Sequence, residues 1–100
     1  MTMDFFSDSG WTDAEKHIDQ AHDFYEQSCW IEALRELQEA ININPNNSKW
    51  YFNKGLTLDS LMRFQEAAET YQIAHDLDPE NTEILNCLGI DYTRLGQYDL

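Results

Sequence analysis

His17 and His22, with Asp19 and Asp23 close by, are the first residues along the chain whose types could hold a metal ion. Two ligands on one helix face need i,i+3 or i,i+4 spacing, because a turn takes 3.6 residues. His17 and His22 are five apart, so one helix does not aim both at one ion. His22 with Glu26, and Asp19 with Asp23, do have i,i+4 spacing, but a chain with 19 acidic residues makes such pairs without any metal. Cys29 and Cys87 stand far apart with no CxxC, which reads as two reduced thiols rather than a disulfide framework. No Ser/His/Asp or Cys/His order suits nucleophilic catalysis, and no Gly-rich loop suits phosphate. The residues thus imply no enzyme, no cofactor and no metal site.

What remains is the surface that the elements build. Of 100 residues, 42% are hydrophobic and 13% aromatic, enough for a core, so disorder is expected only near the start. Four Gly, two Pro and the lack of long Val/Ile/Thr alternation favour helices. A formal net charge of −13 opposes nucleic acid and anionic membrane, both of which need a positive footprint. It leaves room for a basic peptide or protein. The opening "MTMDFFSDSGWTD" resembles neither a signal nor a transit peptide, and no 18-residue apolar run could span a membrane. A soluble, cytoplasmic chain is expected, with residues 1–12 as a flexible acidic tail.

The chain repeats with a period of 34. Pro45 and Pro79 are 34 apart, as are Trp30, Phe64 and Tyr98, Ala33 and Ala67, Leu37 and Tyr71, Ala40 and Ala74, and Ala21, Gly55 and Gly89. Within each period the apolar spacing predicts two helices. The expected spans are about Asp13–Ser28, Trp30–Ile43, Ser48–Leu61, Phe64–Leu77 and Thr82–Leu95, five main helices in all. Thr12 or Asp13, Asn47 or Ser48, and Asn81 or Thr82 suit N-caps, and Thr12 with Glu15 spells a capping box. Pro45 and Pro79 sit where helices stop, and Gly96 suits a left-handed C-terminal corner. The Ala21/Gly55/Gly89 column and the Ala33/Ala67 and Ala40/Ala74 columns lack bulk where helices must approach closely. One helix pair cannot cover its own apolar face, so pairs stack on a shared core.

This pattern resembles the tetratricopeptide repeat (TPR). From Ser48 it reads Tyr51, Lys54, Gly55, Leu58, Phe64, Ala67, Tyr71, Ala74 and Pro79, and from Ala14 it reads His17, Gln20, Ala21, Phe24, Trp30, Ala33, Leu37, Ala40 and Pro45. From Thr82 it reads Leu85, Leu88, Gly89, Tyr92 and Tyr98. His17, Gln20 and Lys54 depart from the pattern. The polar pair fits the N-terminal end of an array, and Lys54 can bury its stem while its ammonium stays wet. The resemblance implies an all-α, right-handed α-solenoid of antiparallel helix pairs. Residues 13–100 then form a single domain, with repeats 14–47, 48–81 and a partial 82–100.

The resemblance also implies a concave groove lined by the first helix of each repeat. Its candidate residues here are Ile18, His22, Tyr25, Lys49, Phe52, Asn53, Leu56, Asp59, Asn86, Ile90 and Arg94. Ile18, Tyr25, Phe52, Leu56 and Ile90 would form an apolar strip edged by mostly acidic groups, suited to a protein or peptide segment with apolar anchors or basic flanks. One specialisation of the family clamps the C-terminal carboxylate of chaperone peptides with Lys, Arg and Asn. At those positions this chain has Ile18, His22, Asn53, Glu83 and Cys87; only Asn53 matches, and Glu83 would repel a carboxylate. The expected role is a scaffold or adaptor that binds a segment in the groove. The alternative is self-association through the face of Leu85, Leu88, Tyr92, Leu95 and Tyr98, which should meet a following helix. Because the sequence stops just before the column of Ala33 and Ala67, it is expected to be a fragment of a longer repeat protein.

Overall fold

The computed structural model describes residues 10–98, with side chains from 13 to 96. Every regular element among the described residues is an α-helix: α1 (Gly10–Glu26), α2 (Trp30–Ile43), α3 (Ser48–Ser60), α4 (Phe64–Leu77) and α5 (Thr82–Tyr98). The chain divides at Asn46–Asn47 into two compact units, one holding α1 and α2 and the other α3, α4 and α5.

The helices form where apolar periodicity and caps agree. The Asn47 side chain accepts from the N–H groups of Lys49 at 3.0 Å and Trp50 at 3.3 Å, opening α3. Asn81, 34 residues on, does the same for Glu83 at 3.0 Å and Ile84 at 3.3 Å, opening α5. Each cap satisfies two N–H groups that the first turn leaves orphaned. Of the residues considered at each start, the asparagine is the one that caps.

In the first unit, α1 buries Ala14 and Ala21 and α2 buries Ala33, Leu37, Ala40 and Ile41. In the second, Leu58 from α3, Ala67, Ala68, Tyr71 and Ala74 from α4, and Ile84 and Leu88 from α5 are buried. Alanine at the crossings lets backbones come close enough for the larger residues to interlock.

The two inter-helix corners are alike. Ser28 has φ 61° and Met62 has φ 60°, both left-handed. At the first corner Cys29 N–H donates to Phe24 C=O at 2.8 Å and Ser28 N–H to Tyr25 C=O at 3.0 Å. At the second, Arg63 N–H donates to Leu58 C=O and Met62 N–H to Asp59 C=O, each at 2.9 Å. These are Schellman closures, in which the left-handed residue is usually glycine. A side chain there costs about 1–2 kcal/mol, and Met62 is 68% exposed, so its side chain returns little packing. Met62→Gly is therefore expected to stabilise the chain by about 0.5–1 kcal/mol, read as a higher urea midpoint at unchanged m. A lower midpoint would show that the Met62 side chain outweighs the strain.

Two sequence expectations are corrected. α1 starts at Gly10, not near Asp13, so residues 10–12 are helical and not part of a tail; Thr12 and Glu15 lie inside the helix instead of opening it. The chain there has no proline to stop the i→i−4 ladder from extending back. The rest of the proposed tail, residues 1–9, lies outside the described residues. Gly96 falls 34 residues after Met62 in the corner column, yet α5 runs through it to Tyr98 and no described glycine has positive φ. At Ser28 and Met62 the corner leads directly into a packed helix; at Gly96 the described chain simply continues its ladder, which satisfies more carbonyls than a corner would.

Candidate functional site

The candidate recognition residues of the second unit lie on α3 and α5. Phe52, Leu56 and Asp59 follow i, i+4, i+7 spacing on α3, and Asn86, Ile90 and Arg94 follow i, i+4, i+8 on α5. Each set therefore shares one helix face. Arg94 joins the two: its Nη1 lies 3.8 Å from Asp59 Oδ1 and 3.5 Å from Asp91 Oδ1, and its guanidinium carbon stands 5.0 Å from the Phe64 ring centroid. Phe52, Asn53, Leu56, Asp59 and Arg94 are half-buried, whereas Lys49, Asn86 and Ile90 are exposed. Ile90 is 51% exposed, a high value for so apolar a side chain.

In the first unit, α1 carries Ile18, His22 and Tyr25. Ile18 and Tyr25 are half-buried and His22 is exposed. His22 Nε2 sits 3.0 Å from Glu26 Oε2, both well solvated, so the contact contributes little. The Tyr25 ring meets Trp30 edge-on at 4.9 Å between centroids, and the Phe52 ring lies 5.8 Å from that of Tyr71. Two of the proposed anchors thus also serve internal packing. His17 leaves the metal question aside and pairs with Glu36 of α2 at 2.6 Å. Among the described residues no group of three or more His, Cys, Asp or Glu is placed to hold an ion.

The face expected to meet a further helix divides. Leu85 (42% exposed) and Tyr92 (56%) are open to solvent, and Leu95 is half-buried. Leu95 lines an open surface cavity of about 440 Å³ with Met62 and Phe64 as its apolar walls and Arg63, Gln65 and Glu66 at its rim. Leu88 does not belong to that face. It is 6% exposed and joins Ile84 in the core, because Ile84, Leu88 and Asp91 follow i, i+4, i+7 on the buried stripe of α5. The side chain of Tyr98 lies outside the described residues.

Sequence reasoning missed the polar centre of the second unit. Asp91 is fully buried, and Tyr71, also fully buried, donates its hydroxyl to Asp59 Oδ2 at 2.8 Å. Burial first, then the neighbouring Asp59, pushes the Asp91 carboxyl up to about 7, with Arg94 pulling the other way. Burial and the bond to Asp59 likewise raise the Tyr71 hydroxyl above its ordinary range. Burial also raises the Cys87 thiol, helped by the charges of Asp59, Glu83 and Asp91. On the other side of α3, burial lowers the Lys54 ammonium while Glu66 opposes it. The available signal was the Asp59/Asp91/Arg94 spacing across two first helices, which a face-by-face reading of single helices does not pair.

No family model matches the chain. It is similar to the Hsp70-Hsp90 organising protein of Plasmodium falciparum (isolate 3D7), 31% identical over 93 residues, covering 86% of this chain and 16% of the relative. It is similar to mouse DnaJ homolog subfamily C member 7, 35% identical over 66% of this chain and 13% of the relative. The chain spans less than a fifth of the length of these relatives. Among solved structures, the Arabidopsis OM64 TPR domain superposes with a TM-score of 0.84 at 23% identity, covering 91% of this chain and 75% of that one. The second TPR of Spaghetti, bound to the HSP90 peptide SRMEEVD, gives 0.80 at 19% identity over 86% and 80%. At such identities these structures fix the fold alone.

Proposed function

The chain is a tetratricopeptide-repeat protein in fold and repeat signature, and from that premise we propose that it is a non-catalytic adaptor whose first helices bind a protein or peptide segment. The observation that carries the reading is the α3/α5 face, where the half-buried Phe52 and Leu56 and the exposed Ile90 accompany Asp59 and Arg94. An apolar strip of this kind, only partly taken up by internal packing, is a recognition surface. A relative named for organising Hsp70 and Hsp90 favours recognition over self-association.

The segment is not an acidic C-terminal tail of the SRMEEVD kind. The positions that would grip such a tail hold Ile18, His22, Asn53, Glu83 and Cys87, and the chain carries −13 overall. Like charge makes such an encounter slow and weak, whereas a basic segment is steered in. We therefore assign a segment with apolar anchors and Lys or Arg flanks. Among the described residues no helix is long and apolar enough to cross a membrane, in keeping with a partner met in water.

Selection of a random peptide library on the purified chain is expected to enrich apolar residues with basic neighbours; enrichment of acidic C-terminal tails would overturn the reading. Ile90→Ser is the cleaner anchor test, because Phe52 and Tyr25 also pack internally. It is expected to weaken binding of a selected peptide about tenfold, or about 1.4 kcal/mol, with thermal melting unchanged.

A further inference from the structure

Two carboxyl groups meet inside the second unit with too few donors to serve them. Asp91 on α5 is 0% exposed and shares Arg94 with Asp59 on α3, the guanidinium Nη1 standing within 4 Å of Oδ1 of each, so the two carboxyls are neighbours. Between them they present four acceptor oxygens. Tyr71 from α4 gives its single hydroxyl proton to Asp59 Oδ2 at 2.8 Å. Arg94 reaches Asp91 Oδ1 only at 3.5 Å and Asp59 Oδ1 only at 3.8 Å, at or past the limit of a hydrogen bond. Asp59 Oδ1 and Asp91 Oδ2, one oxygen on each residue, are both buried and receive no hydrogen bond. Leaving buried acceptors unpaired is costly, and a buried carboxylate is repelled by a second one beside it. One proton placed between the carboxyls relieves both conditions, since a protonated carboxyl donates to a neighbouring carboxylate.

We propose that Asp59 and Asp91 form a shared-proton pair, a latch that holds α5 against α3 and α4 while the proton is present and loosens when it is lost. The other titratable or charged groups facing the pair are Tyr71 from α4 and Cys87 and Arg94 from α5. Tyr71 already commits its single hydroxyl hydrogen to Asp59, the thiol adds no positive charge, and Arg94 lies over the Phe64 ring. With the proton the cluster of two carboxyls and Arg94 is neutral; without it the cluster carries a net negative charge around the fully buried Asp91.

The direction with pH follows. The Asp91 value in the folded chain lies well above its unfolded value, near 4. The latch is therefore fully closed below pH ~4 and is lost as pH rises through about 7. Asp59 and Arg94 also stand among the recognition candidates, so the latch would couple pH to partner binding. That extension rests on the proposed recognition role, whereas the titration is read on the free chain and stands without it.

Carbon-detected NMR of the full chain tests this directly. Asp91 is expected to titrate with a midpoint near neutrality, and Asp59→Asn to move that midpoint down; an Asp91 midpoint near 4, or one indifferent to Asp59→Asn, overturns the shared proton. Thermal melting gives a second reading. Wild type should lose roughly 10 °C more than Asp91→Asn between pH 5 and pH 8, since asparagine mimics the protonated acid. Parallel melting curves for the two proteins would overturn the latch, and if Asp91→Asn does not fold, the wild-type NMR midpoint still decides.

Discussion

Tyr71→Ala is expected to lower stability by about 3–5 kcal/mol and to leave the second unit largely unfolded at room temperature. The ring is fully buried, meets Phe52 across α3 and fills the space that Gly55 leaves open. Removing it leaves a cavity bordered by backbone and by a carboxylate, a site that cannot collapse onto apolar neighbours alone. The hydroxyl adds a second loss, because Asp59 keeps a buried oxygen with no donor. Small domains hold only about 5–15 kcal/mol in total, so this one truncation removes a large share. Tyr71→Phe separates the two effects: it keeps the ring and is expected to cost about 1–3 kcal/mol. Urea denaturation followed by circular dichroism measures both. A loss below about 1 kcal/mol for Tyr71→Ala would show that the ring is not what fills the helix crossing.

The repeat made Tyr71 easy to place as a packing residue, since it shares a column with Leu37. Its polar half was not legible, because a hydroxyl's partner depends on which turns of two other helices face it. Asp59 was singled out as a groove residue and Asp91 was passed over as one more acid in an acidic chain. Only the three-helix packing shows that α5 buries Asp91 on the same stripe as Ile84 and Leu88. Helix interiors were legible to the residue where local rules acted alone: Trp30–Ile43 and Phe64–Leu77 have the expected limits. The ends of α1 and α5 were not, since a helix extends until packing or proline stops it, and no proline stands near Gly10 or Gly96. The corner residues show the same division. Sequence chemistry pointed to glycine for a left-handed corner, but Ser28 and Met62 take that conformation because the helices after them pack, at a local cost in strain.

The Gly55 and Gly89 column makes that dependence on packing measurable, since the same substitution is expected to change sign between two equivalent positions. Both are helical glycines, 34 residues apart, and on propensity alone alanine would stabilise each by about 1 kcal/mol. At Gly55 a Cβ would fall against Cε1 of Tyr71, 2.6 Å from Cδ1 and 2.8 Å from Cζ. The ring cannot step aside, because it is fully buried and its hydroxyl is held by Asp59. Overpacking of this kind costs about 1–3 kcal/mol or more, so Gly55→Ala is expected to be destabilising on balance and Gly55→Val more so. At Gly89 nothing lies within 4 Å of the added carbon, and the position is exposed. Sequence spacing placed Gly89 at a close helix approach, but among the described residues no helix stands against it as α4 stands against α3. Gly89→Ala is therefore expected to stabilise the chain by about 0.5–1 kcal/mol. Urea midpoints of the two variants against wild type give both signs in one experiment. If Gly89→Ala instead destabilises by 1 kcal/mol or more, as overpacking would, a second surface covers that face of α5 in solution, and the self-association set aside above returns as the better account of Leu85 and Tyr92.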